Sequence, residues 1–68
     1  MMEIFTTTTM GGTRIVINLA LVENIYEQSL SGKAVFVMSG GERSFETNED
    51  FDAVVLYLLD IAADRAGN

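Results

Sequence analysis

The 68-residue chain contains no cysteine, no histidine, no tryptophan and no proline. Without cysteine there can be no disulfide framework, no thiolate nucleophile and no cysteine zinc site. Without histidine there is no Ser-His-Asp arrangement and no imidazole metal ligand. Because the commonest catalytic and metal-binding groups are missing, the sequence predicts a protein that is not an enzyme and that binds no metal or cofactor.

Positive charge is also scarce in this sequence. Four lysines and arginines stand against ten aspartates and glutamates, which gives a formal net charge of −6. Phosphate binding needs clustered cations, whereas Arg14, Lys33, Arg43 and Arg65 are scattered singly along the chain. The charge balance argues against nucleic acid and anionic membranes as partners, and it favours a basic partner protein.

Long hydrophobic runs are missing as well. The longest uninterrupted apolar run, Ala53–Leu59, is far too short to span a bilayer. The N-terminal stretch MMEIFTTTTM has neither the basic start nor the long apolar segment of a signal peptide. We therefore expect a soluble cytoplasmic protein.

The sequence does contain enough apolar residues to form a folded core, because hydrophobic residues make up 49% of the chain. We expect a single domain over residues 1–68, with no linker. A chain this short buries only about 60% of its unfolded surface, and small domains of this kind usually need disulfides, a metal or a partner. Oligomerisation or binding to another protein is the expected support.

The pattern of turns and apolar residues predicts an α+β domain: an antiparallel β-meander of four to five strands with one C-terminal α-helix packed on it. Gly-Gly pairs at 11–12 and 40–41 are typical of tight hairpin turns. The segment 33–39 is apolar on both faces, as in a central strand. The predicted strands are about 2–9, 13–18, 22–28, 33–39 and 42–46, and the predicted helix is about 48–65.

The start of that helix resembles a capping box, with Thr47 as N-cap and an acidic residue, Asp50, three positions on. A cluster of Glu49, Asp50 and Asp52 could instead bind a hard cation, but the pattern of a calcium loop is absent. The two Gly-Gly pairs lack the lysine and helix of a phosphate-binding loop. We interpret both features as structural, and we expect Gly67 to follow the end of the helix.

Helical periodicity places Phe51, Val55, Leu58 and Ala62 on the stripe that should pack on the sheet. A second apolar strip and two acidic side chains lie outside this stripe, and we predict that they bind a partner. These candidate partner-binding residues are Leu56, Tyr57, Leu59, Asp60, Ala63 and Asp64. Two apolar strips on one helix predict a second buried face, in a homodimer or in a complex.

The stretches INLALVENIYE, from Ile17 to Glu27, and AVFVMSGGERSFETNEDFDAVVLYL, from Ala34 to Leu58, resemble the small flagellar FlbD/SwrD family. Asn18, Val22, Glu23 and Ile25 match its Asn and its apolar-Glu-x-apolar group, and Gly41 matches its turn. The family usually carries lysine around that turn, unlike this chain. The resemblance implies a non-enzymatic accessory to flagellar motility. The strand order is also similar to that of the carbon storage regulator, a swapped dimer that binds RNA, but this chain lacks a basic surface.

The functional expectation is therefore a small acidic protein-interaction module that forms a homodimer and binds a basic protein. One setting is flagellar motility. Alternatives are a phage- or plasmid-encoded inhibitor that binds a host protein, and a dimer that binds a small ligand.

Overall fold

The computed structural model describes the backbone of residues 3–66 and the side chains of residues 3–64. Its elements follow one another in the order β1 (Ile4–Thr8), β2 (Arg14–Asn18), the short 3-10 helix η1 (Leu19–Leu21), β3 (Val22–Glu27), β4 (Lys33–Met38), β5 (Ser44–Asp50) and α1 (Phe51–Ala66). Five antiparallel strands and a C-terminal helix confirm the predicted α+β class. The predicted strand residue Met2 and the predicted helix-terminal Gly67 lie outside the described residues.

The strands form two sheets rather than one continuous meander. One contains β1 and β2, and the other has the order β3-β4-β5, with the doubly apolar β4 at its centre as predicted. A β-bridge between Thr9 and Thr47 links the two sheets, beside a hydrogen bond from the Met10 N–H to the Glu46 carbonyl. The two sheets are separated at η1, where the chain changes direction between β2 and β3, so that β3 does not pair with β2.

The core lies between the two sheets and α1. Its buried apolar residues are Ile17, Ala34, Phe36 and Val54. The ring of Phe5 stacks on that of Phe36 with centroids 5.3 Å apart. Both sheets and the helix thus contribute to one apolar cluster, and this packing fixes which face of α1 points outward.

The predicted start of the helix at residue 48 is wrong, because β5 continues as far as Asp50 and α1 begins at Phe51. Thr47 does not cap the helix. It is fully buried, and its hydroxyl donates to the Ala34 carbonyl across the strand pair at 2.9 Å. Asp52 is the acidic residue of the first helical turn, whereas Glu49 and Asp50 belong to β5. The hydrogen bond from the Phe51 N–H to the Gly32 carbonyl holds the start of α1 against the loop before β4.

The buried stripe of α1 is rotated relative to the prediction. Val54, which is not a member of the predicted stripe, is 2% exposed and forms the centre of the contact. Phe51 and Leu58 pack beside it, partly buried, as the prediction required. Ala62, the last member of the predicted stripe, is exposed.

Candidate functional site

The outer face of α1 is the most apolar exposed helical surface in the described part of the chain. Because α-helical residues advance by about 100° each, Leu56 lies nearly opposite the inward stripe centred on Val54 and Leu58. The side chains of Leu56 and Leu59 are accordingly 68% and 60% exposed. Ala63 continues the same strip one turn later and is also exposed. We call Leu56, Leu59 and Ala63 the outer strip.

All six partner-binding residues predicted from the sequence are exposed in the structure, and they fall into two groups. The outer strip forms the first group. Tyr57, Asp60 and Asp64 form the second, along one side of the strip. Asp60 and Asp64 are one turn apart, and together with Tyr57, Ile61 and Ala63 they line a shallow depression of about 490 Å³.

Tyr57 connects this surface to the core. Its ring lies against Phe5, with centroids 5.3 Å apart and planes inclined by 54°, and Phe5 in turn stacks on Phe36. The residue is still 43% exposed. Tyr57 therefore presents one face to solvent from a position that packing fixes, as aromatic anchors at interfaces commonly do.

Acidic side chains lie at the N-terminal end of the outer strip and along one flank of it. Asp52 precedes Leu56 by one turn on the same face, and Asp60 follows it by one turn. All three residues are exposed. The surface is thus an apolar strip with a partial rim of negative charge, which is an arrangement suited to a protein partner with the opposite rim charge.

The other acidic residues near the start of α1 are occupied in structural contacts that the sequence did not reveal. The Thr7 hydroxyl donates to Glu49 Oε2 at 2.8 Å, which joins β1 to β5 across the gap between the sheets. Lys33 Nζ lies 2.9 Å from Asp50 Oδ1 and forms an ion pair with it. Within residues 3–66, no three acidic side chains are placed to hold a metal ion together.

A second apolar surface, beside β2, was not predicted. A groove of about 420 Å³ separates β2 and η1 from the β4–β5 hairpin, and its lining residues are Val16, Asn18, Leu21, Met38, Ser39, Arg43 and Phe45. The Arg43 guanidinium lies 5.6 Å from the centre of the Phe45 ring, at one wall of the groove. The signal was present in the sequence, because alternation within the run of Ile15, Val16 and Ile17 must turn Val16 outward when its two neighbours turn inward.

No protein-family model, curated protein or solved structure matches this chain. Within residues 3–66, the helix is too short and too polar to cross a membrane.

Proposed function

We propose that this protein is a non-catalytic protein-interaction module that binds its partner through the outer face of α1. The observation that carries the proposal is the exposure of Leu56 and Leu59, at 68% and 60%, on a helix whose opposite face is buried. Adjacent exposed leucines on a fixed helix are typical of binding surfaces, since leaving them in water is unfavourable. A partner that covers them would gain apolar burial without first reorganising the fold.

The rim of the surface selects a basic partner. Asp52 lies at one end of the outer strip, Asp60 and Asp64 lie along one flank, and the chain carries a net charge of −6. A basic partner would be drawn to this rim by long-range attraction, while the leucines would slow its release once bound. We propose a partner surface with an apolar ridge flanked by lysine or arginine side chains.

The same rim disfavours the outer strip as a self-association surface. A two-fold pairing of antiparallel helices centred on the strip would place its axis between residues 59 and 60, because Leu56 and Ala63 lie equally far on either side. Asp60 of each copy would then lie close to Asp60 of the other copy. Like charges opposed at an interface cost several kcal/mol, so a basic partner fits this face better than a second copy does.

Two biological settings match such a module. One is an accessory of flagellar motility, in line with the resemblance to the FlbD/SwrD family. The other is an inhibitor encoded by a phage or plasmid that binds a host protein. Neighbouring genes would distinguish them, since flagellar genes on either side would favour the first setting and phage genes the second.

The proposed interface can be tested by site-directed photo-crosslinking in cells. A photo-reactive phenylalanine at position 56 should crosslink to one discrete protein. The same residue at position 30, where Leu30 is 96% exposed on a loop, should not. The captured protein should then bind the purified wild-type chain, and Leu59→Asp should weaken that binding at least about tenfold, a change of about 1.4 kcal/mol. Equal crosslinking from both positions, or unchanged binding by Leu59→Asp, would contradict the proposal.

A further inference from the structure

The outer edge of β2 carries backbone groups that can pair with another strand. The Thr9 N–H donates to the Thr13 carbonyl, and the Leu19 N–H donates to the Glu3 carbonyl, which fixes the phase of the β1–β2 ladder. Residues 13, 15, 17 and 19 therefore direct their backbone groups towards β1, while residues 14, 16 and 18 direct theirs away. In the described part of the chain, no backbone hydrogen bond from another strand reaches these outward groups.

Apart from Arg14 at its start, this edge lacks the features by which proteins usually protect an edge strand. Such edges typically carry charged side chains, proline or a bulge. The edge strand β3 has two of these features, with Glu23 and Glu27 in its sequence and a register shift between Val22 and Asn24. By contrast, β2 keeps a regular register along its whole length and contains an uninterrupted Ile-Val-Ile run.

From these observations we infer that β2 pairs with β2 of a second copy of this chain, antiparallel and centred on Val16. In this register Val16 lies opposite Val16, and Arg14 lies opposite Asn18. Because the backbone of residue 16 points outward in both copies, the two Val16 residues exchange a pair of hydrogen bonds. The product is a continuous four-stranded sheet across the dimer, in the order β1-β2-β2-β1.

The charge of β2 itself does not oppose a second copy as the occupant. Strand β2 contains no acidic residue, and its arginine faces a neutral asparagine in the proposed register. Each copy has a net charge of −6, but the paired β2 strands bring no acidic side chain of either copy opposite the other. The outer strip on α1 differs from β2 in this respect, because acidic side chains lie beside it.

Apolar burial adds to the backbone pairing. The side chain of Val16 is 64% exposed, and that of Leu21, beside it at the groove, is 52% exposed. Cross-strand contact between the two Val16 side chains would cover part of this surface, as β-branched pairs do in sheets.

Sedimentation equilibrium over a wide concentration range is the first test. The wild type should approach twice its 7.4 kDa mass as concentration rises. Val16→Lys places two lysines opposite each other and should raise the dimer dissociation constant at least about tenfold, because like charges opposed at an interface are costly. Leu30→Lys makes the same change at a loop residue that is 96% exposed, and it should leave the constant unchanged. A mass that stays at 7.4 kDa at every concentration would overturn the inference.

A second variant separates the backbone pairing from side-chain effects. The chain is short enough for chemical synthesis, and methylation of the Val16 backbone nitrogen removes one outward N–H without adding charge. This variant should lose the dimer but keep its far-UV circular dichroism spectrum. Methylation of the Glu27 nitrogen, which faces away from β4, should leave both the dimer and the spectrum unchanged. Dimers that persist after Val16 methylation would place the contact elsewhere. Because Leu59→Asp tests α1 separately, either proposal can fail while the other stands.

Discussion

The hydroxyl of Thr47 donates a hydrogen bond to the backbone carbonyl of Ala34 at 2.9 Å, and neither residue is exposed to solvent. The same hydroxyl accepts a hydrogen bond from the Glu49 N–H at 3.3 Å. The register of the β4–β5 pair shifts between Lys33 and Val35. Lys33 pairs with Asp50 and Val35 pairs with Glu46, so β5 contains two extra residues at this point. The threonine side chain thus replaces a ladder hydrogen bond at the irregularity, and it allows β5 to continue towards α1.

Removing this hydroxyl should destabilise the fold more than removing the adjacent methyl group. Thr47→Val keeps the shape of the side chain but leaves a buried carbonyl without its donor, and it should cost about 1–3 kcal/mol of unfolding free energy. Thr47→Ser keeps the hydroxyl and should cost about 1 kcal/mol for the lost methyl group. Urea denaturation followed by circular dichroism measures both changes. A valine variant as stable as the serine variant would show that the hydrogen bond contributes little.

The helix start illustrates what local sequence cannot determine. Thr47 followed by Asp50 has the pattern of a capping box, and the pattern alone favours a helix from residue 48. In the structure Thr47 belongs to β5 instead, because its hydroxyl bonds to Ala34 in β4, 13 positions earlier in the chain. A local pattern does not contain the partner strand, so it could not show that Thr47 would be more stable inside the sheet.

Other parts of the fold were predictable because their signals are local. The Gly-Gly pairs locate the β1–β2 and β4–β5 hairpins, and an apolar pattern on both faces identifies β4 as the central strand. The exposed leucines of α1 also followed from periodicity, since Leu56 and Leu59 lie outside the predicted stripe that contains Phe51 and Leu58. The division into two sheets and the groove beside β2 depend on how η1 orients the hairpin, which no short segment specifies.

Side-chain truncations should rank according to which face of α1 is buried. Phe36→Ala removes a fully buried ring and should cost about 3–5 kcal/mol, a large part of the stability of a small domain. Phe51→Ala should cost less, because Phe51 is only partly buried at the edge of the core. Leu56→Ala should change stability by no more than about 0.5 kcal/mol. Chemical denaturation of the three variants tests the ranking, and a Leu56 cost equal to that of Phe51 would contradict the orientation of α1.

The first hairpin turn offers a matched pair of glycine substitutions. Gly12 has a φ of +93°, a conformation that residues with a side chain rarely adopt, whereas Gly11 does not have a positive φ. Gly12→Ala should therefore cost about 1–2 kcal/mol, although nothing lies within 4 Å of the added carbon. At Gly11 the added carbon meets only Thr9 Oγ1 at 3.9 Å, so Gly11→Ala should change stability little. Equal thermal midpoints for the two variants would exclude backbone strain at Gly12.

Charge and apolar contact on α1 should affect different rate constants for the protein captured through position 56. Asp60→Lys combined with Asp64→Lys should slow association and reduce its dependence on salt, because rim charges act mainly during approach. Leu59→Ala should instead speed dissociation, since it removes part of the apolar contact.

The matched control for this last prediction is Glu23→Lys combined with Glu42→Lys, which changes the net charge equally at exposed positions outside α1. If attraction depended on total charge alone, both double variants would slow association to the same extent. If the rim of the outer strip guides the partner, the α1 variant should slow association more at low salt, and the difference should disappear at high salt as screening shortens the range of the field. Stopped-flow measurements at several ionic strengths distinguish the two cases, and identical association rates for the wild type and the α1 variant would leave only the leucine contact as the basis of binding.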